Sequence, residues 1–415
     1  MRMKLNKPSQ LLLVALASIL VAGLMTACST LTVDIVFVAS SKAAGANNYG
    51  ELDIFEVNSE SGRMRQIPAS PVPSQGRYPS AEATSTDAKN LFVANKDDNT
   101  IVQFVIGNDG KLYPFNTVNT PGIFPLGLAA SSANLFVIDT YQPLPTCSTA
   151  APCSGSIGVL PLVAGGSTSG APCTASTCIN PPAVNTGISA TYWPLTVASS
   201  PNDVIMPTAV AVLASGSDVY VAAYDTTVSP TVGYIFGFSV GSGGVLTALP
   251  GSPYAAGIKP SGLASDKGGK YLYATDASGN NVLAYTITSG ALTTLAGSPF
   301  KSGTAPSAIV VDQQYNFAYV ANATDSTITA YSVSNGVLAS IGSYATGLQP
   351  VALGIDPSTN HFLYSANFLG NNVSGFELNT TAGTLLDTFQ SPFAANNQPT
   401  AVAAIPHAGI VASAP

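Results

Sequence analysis

Charge is what this chain has least of. Only 8% of its 415 residues are Asp, Glu, Lys or Arg, against roughly 25% in an ordinary globular chain. The 14 basic residues are outnumbered by 21 acidic ones, for a formal net charge of −7. Displacing counterions from phosphates needs a cationic patch, so nucleic acid is excluded as a partner. A coiled coil would need Glu and Lys, and a disordered acidic chain would carry more charge and less than the 46% hydrophobic content found here. Histidine is nearly missing too. His361 starts a strand-like segment and His407 sits near the C-terminus, which argues against a histidine general base or a His-ligated zinc site. Neither H-E-x-x-H, nor G-x-S-x-G, nor a glycine-rich phosphate loop occurs. Beyond residue 27 no apolar run approaches the roughly 18 to 20 residues of a membrane span.

What is present begins with a leader. Arg2, Lys4 and Lys7 precede an uncharged apolar run from Leu11 to Ala27, the tripartite form of a secretory signal peptide. Met25-Thr26-Ala27-Cys28 resembles a bacterial lipobox, which implies residues 1–28 as leader and lipidation site, with Cys28 carrying the lipid and tethering the protein to a membrane. A plain signal peptide or a retained anchor helix are the alternatives. Removing the leader would take the formal charge from −7 to −10.

The rest, residues 29–415, repeats itself. Proline opens a short strand-like segment at Pro79, Pro125, Pro207, Pro260, Pro306, Pro350 and Pro399. The second residue after each is Ala or Gly. The third is Glu82, Leu128, Val210, Leu263, Ile309, Leu353 or Val402, aliphatic in six cases of seven. Small residues alternating with aliphatic ones suit an innermost strand crowded on one side by its symmetry mates. Each unit then runs through three further apolar segments bounded by Gly, Asn, Ser or Pro. Seven such four-stranded antiparallel units predict an all-β fold, a single seven-bladed β-propeller. The first blade should be closed by the C-terminal strand Pro399–Pro406 beside the N-terminal strand Val33–Ser40, which removes the open sheet edges. The third blade is enlarged by an insertion at about 139–200.

The segments LFVAN, AYVAN and YSAN, each followed by a loop and then N-x-[IV]-x-x-[FY], resemble the lactonase or YVTN-repeat family of bacterial seven-bladed propellers. That family includes 6-phosphogluconolactonases and muconate-cycloisomerase-like proteins. The resemblance implies a propeller and suggests lactone hydrolysis, although the motif itself reports blade packing. Where active-looking members carry Asn-Arg-Gly and Pro-Arg, this sequence has Asn95-Lys96-Asp97 and Pro350-Val351, leaving Lys96 as the available cation.

The links between inner and second strands, and between third and outer strands, read as short turns. The other two sets read as longer and more varied, and they share the opposite face, where a binding site is expected. The second strands deliver Asn95, Asp139, Asp225, Asp276, Asn322 and Asn367 to that face, a ring able to hydrogen-bond a ligand or to hold the local backbone. Glu82 stands where every other unit is aliphatic, so it is a candidate acid or base together with Lys96. No cofactor is expected, although a divalent cation at the mouth is compatible with the ring. Cys147, Cys153, Cys173 and Cys178 flank the segment Ser156–Leu162, which favours the local disulfides Cys147–Cys153 and Cys173–Cys178 over crossed pairing. Two readings remain open: an envelope protein binding a glycan, small molecule or partner protein, or a sugar-acid lactone hydrolase.

Overall fold

The computed structural model describes residues 32–44, 47–163, 178–179 and 192–407. The leader with Cys28, and Cys173, lie outside the described residues. Seven separate antiparallel sheets form seven blades. Their inner strands, in ring order from blade 1, are Pro399–Pro406, Pro79–Thr84, Ile123–Ala130, Ile205–Val212, Pro260–Ser265, Pro306–Val311 and Pro350–Ile355. Each packs against the next, and that of blade 7 packs against that of blade 1, so the ring is closed. Closure is made as expected: in blade 1 the second strand Thr32–Ala44 lies between the C-terminal strand and Tyr49–Asn58, with Asp34 opposite Pro406 and Ser40 opposite Pro399. Among the described residues the only helical element is the single turn Ser242–Gly244.

The core lies between blades. Each of the seven apolar clusters is shared by two neighbours, as in Phe37, Ile54, Val93 and Phe104 between blades 1 and 2. One register is aromatic throughout: Phe37, Phe92, Phe136, Tyr220, Tyr273, Tyr319 and Tyr364 are all fully buried. Each faces the fourth residue after an inner-strand proline, which is Ala403, Ala83, Ala129, Ala211, Ala264, Val310 or Gly354. A small partner leaves room for the ring, and burying such a side chain contributes about 1.5–3 kcal/mol. Three of the tyrosines reach across to the neighbouring blade, where Tyr220, Tyr273 and Tyr319 donate to the carbonyls of Gly290, Gly336 and Gly383 at 2.7, 3.1 and 3.3 Å.

The proline that opens each repeat has a second consequence. In every blade the pairing of inner with second strand shifts by one residue just after it, as between Pro79 and Ala81 or Pro306 and Ala308. Such a bulge re-aims the extra residue. Here that residue is Ser80, Leu126, Thr208, Ser261, Ser307, Val351 or Thr400. Five are hydroxyls, and each donates to the proline carbonyl of the next blade: Thr400 to Pro79, Ser80 to Pro125, Thr208 to Pro260, Ser261 to Pro306 and Ser307 to Pro350, at 2.5–2.8 Å. The girdle is interrupted only at Leu126 and Val351.

The face where these prolines lie is called the proline face, and the opposite one the turn face. The expectation of longer loops on the proline face is corrected for most blades. Links 96–99, 277–280, 323–326 and 368–371 are no longer than the inner-to-second-strand links opposite, 85–89, 266–270, 312–316 and 356–361. They close tightly because Asn99, Asn280, Ser326 and Asn371 adopt positive φ, a conformation that asparagine tolerates best among non-glycine residues. Asn99, Asn280 and Asn371 also accept the backbone N–H of Phe124, Ala305 and Gln398, each the residue just before the neighbouring blade's inner-strand proline, at 2.7–2.9 Å. Length is confined to blades 3 and 4, and blade 3 carries the disulfide Cys147–Cys153 in its loop, as the sequence indicated.

Candidate functional site

A cavity of about 280 Å³ opens on the proline face close to the axis. Blades 7, 1, 2 and 3 build it: Gln349, Val351 and Phe368 from blade 7, Thr400 from blade 1, Tyr78, Ser80 and Lys96 from blade 2, and Leu126 from blade 3. Both gaps in the hydroxyl girdle are therefore in its wall, where Leu126 and Val351 replace an inward-bonded hydroxyl by apolar surface. Tyr78 and Gln349 precede inner-strand prolines and have positive φ, 54° in each case. Lys96 and Phe368 follow the second strands, fixed by backbone bonds from Lys96 N–H to Tyr78 and from Phe368 N–H to Gln349, both 2.9 Å. The Lys96 ammonium lies 5.4 Å from the centre of the Tyr78 ring, a cation–π arrangement.

Glu82 sits deeper on the strand that carries Ser80, outside the cavity lining. Its cross-strand partner is Val93, within the apolar cluster of blades 1 and 2. The residue keeps some exposed surface, yet both carboxylate oxygens are sealed and have no hydrogen-bond partner. Neither cation near it in sequence pairs with it: Arg77 bonds Asp98, and Lys96 covers Tyr78. Burial pushes its carboxyl well above the usual range, with the charge of Asp53 adding to the effect. Asp53 itself is pushed up to about 6 by burial, against an opposing bond from the Asn396 N–H.

The six Asn and Asp residues ending second strands are all buried. They bind nearby backbone and side chains. Asn95 donates to the Ser74 carbonyl, Asp139 accepts from Gly122 N–H at 3.0 Å, and Asp276 accepts from the N–H groups of Ile258 and Lys259. Asn322 accepts from Gly303 N–H and Asn367 from the Thr346 hydroxyl, while Asp225 accepts from Thr227 in its own loop. Burial pushes the Asp139 carboxyl up to about 7, partly offset by the Gly122 bond. Among the described residues no group of three or more His, Cys, Asp or Glu is placed to hold a metal ion. His361 stacks on Tyr315 at 6.2 Å at the turn face, remote from the cavity.

Sequence reasoning missed Tyr78, Ser80, Leu126, Gln349, Phe368 and Thr400. A signal for two of them existed, because the residue just after each proline is a hydroxyl in five of seven repeats and could have been read as a ring.

Seven blades in one closed ring, with this cavity close to its axis, make the chain a seven-bladed β-propeller. The family described as Lactonase, 7-bladed beta-propeller, matches residues 289–404. A candidate 6-phosphogluconolactonase from Bacteroides uniformis superposes with a TM-score of 0.68 at 18% identity, covering 90% of this chain and 100% of that one. The periplasmic gluconolactonase of Pseudomonas aeruginosa gives 0.67 at 16% identity, covering 90% and 99%. No curated protein matches the chain.

Proposed function

We propose that this protein is exported and binds a small hydroxylated anion of the sugar-acid class in the proline-face cavity. One observation carries the reading: Lys96 is the one formally charged side chain lining a cavity otherwise made of hydroxyl, amide, aromatic and aliphatic groups. A carboxylate would take the ammonium, polyol hydroxyls would face Ser80, Thr400 and Gln349, and the ring face would lie on Tyr78 or Phe368. Binding is favoured over turnover because activating water on a lactone needs a positioned base, and the lining offers neither carboxylate nor imidazole. The leader and Cys28 support export and a lipid tether. Lactone hydrolysis is the second reading, supported by the lactonase likeness and by the enclosed carboxyl of Glu82.

Calorimetric titration with gluconate, and turnover of glucono-δ-lactone over the solvent background, separate the two. The expected result is gluconate binding weakened at least about tenfold in Lys96→Ala, as loss of a charge-assisted contact of some 1.4 kcal/mol or more implies, without lactone turnover. Turnover abolished by Glu82→Gln would establish the enzyme instead.

A further inference from the structure

A second cavity, about 430 Å³, lies beside the first on the proline face. The two share a wall in the chain itself: Arg77 and Asp98 line the outer one, while Tyr78 and Lys96 line the inner one. Asn47, Tyr49, Gln75, Thr100 and Thr117 complete the outer lining, so no aliphatic side chain contributes to it. Arg77 is held across the opening by three bonds, its N–H and Nε–H to the two oxygens of Asp98, both at 2.7 Å, and a terminal N–H to the Asp97 carbonyl at 3.2 Å. Such a pair keeps guanidinium donors and carboxylate acceptors side by side with little side-chain freedom left to lose.

Donors and acceptors of both kinds, a tyrosine face and near-zero net charge suit a neutral polyhydroxylated ring and give an anion no advantage. We propose that the outer cavity is a subsite for a neutral sugar ring, and that the natural ligand is an acidic disaccharide whose acid unit sits at Lys96 and whose neutral unit sits against Arg77, Asp98 and Tyr49. This rests on the sugar-acid reading of the inner cavity. The ridge of Arg77-Tyr78 and Lys96-Asp97-Asp98 is then the saddle that the glycosidic link crosses.

The test compares three probes on the full-length protein by calorimetry: gluconate, lactobionate and maltobionate, the last two being gluconate bearing a neutral hexose. At least one of the aldobionates should bind about tenfold or more tighter than gluconate. Arg77→Ala and Asp98→Ala should each remove that gain and leave gluconate affinity unchanged, with the circular dichroism spectrum of the parent retained to show that the propeller is still folded. Gluconate binding through Lys96 with neither aldobionate bound more tightly would overturn the outer subsite and leave the inner site standing. Failure of all three probes to bind would overturn both.

Discussion

Replacing Glu82 by leucine, the residue that stands at the same register in blades 3, 5 and 7, should stabilise the protein. Both oxygens of Glu82 are buried without partners, and a buried polar group left unsatisfied costs about 1–3 kcal/mol. Glu82→Leu should recover that amount at neutral pH, a shift on the order of 1–2 °C in Tm per kcal/mol for a chain this long. The pH dependence is the sharper part. Burial raises the folded-state pKa well above the ordinary value of 4.5. Between those two values the native state therefore holds a proton that the unfolded chain has released, and native stability falls as pH rises. One such proton corresponds to a slope of about 1.4 kcal/mol per pH unit. Urea unfolding followed by circular dichroism at pH 5, 6, 7 and 8 should show the advantage of Glu82→Leu widening with pH. Glu82→Gln should also flatten the slope with a smaller gain. A leucine variant less stable than the parent at pH 7, or a gap independent of pH, would refute the reasoning and show the carboxyl to be satisfied.

Other expectations follow from the ring and its closure. Val351→Thr supplies the missing hydroxyl opposite the Pro399 carbonyl and should stabilise by about 0.5–1.5 kcal/mol, while Thr400→Val removes an existing bond and should destabilise by a similar amount; urea midpoints moving in the same direction would contradict the girdle. Asp34, between blades 1 and 7, is pushed up to about 8 by burial and by Asp356, and accepts from the Ser358 hydroxyl at 2.5 Å. Its native state keeps the proton from about pH 4 to 8, so that stability is lost across this window, and Asp34→Asn should show its greatest advantage above pH 8 in melting curves. Non-reducing peptide mapping should recover Cys147 linked to Cys153, and replacing both by serine should cost about 2 kcal/mol, the closure entropy of so short a loop.

The repeat was legible because its signals are backbone requirements. A proline at the strand start, a small residue two places on and an aliphatic one at the third fix blade number, strand order and ring closure without knowledge of any neighbour. Loop lengths were misjudged because an asparagine at positive φ shortens a link in a way that composition hides. The cavity was harder to see. Val351 and Lys96 were noticed as departures from a family pattern, but Tyr78, Gln349 and Phe368 come from blades 2 and 7, and only the closed ring, with blade 1 between them, brings them together. Glu82 was singled out correctly as an oddity, yet whether its carboxylate faces the cavity or the blade 1 interior depends on strand face, which the bulge after Pro79 sets.

Both ends of the described chain leave from the same side. Thr32 starts the strand beside the one that finishes at Pro406, and both lie at the turn face, opposite the two cavities. Residues 29–31 alone separate Cys28 from that strand. A lipid on Cys28 would therefore place the turn face nearer the bilayer than the face that carries the two cavities. Ligands would arrive from the aqueous side, and a tag or surface coupling at either terminus would leave both cavities unobstructed.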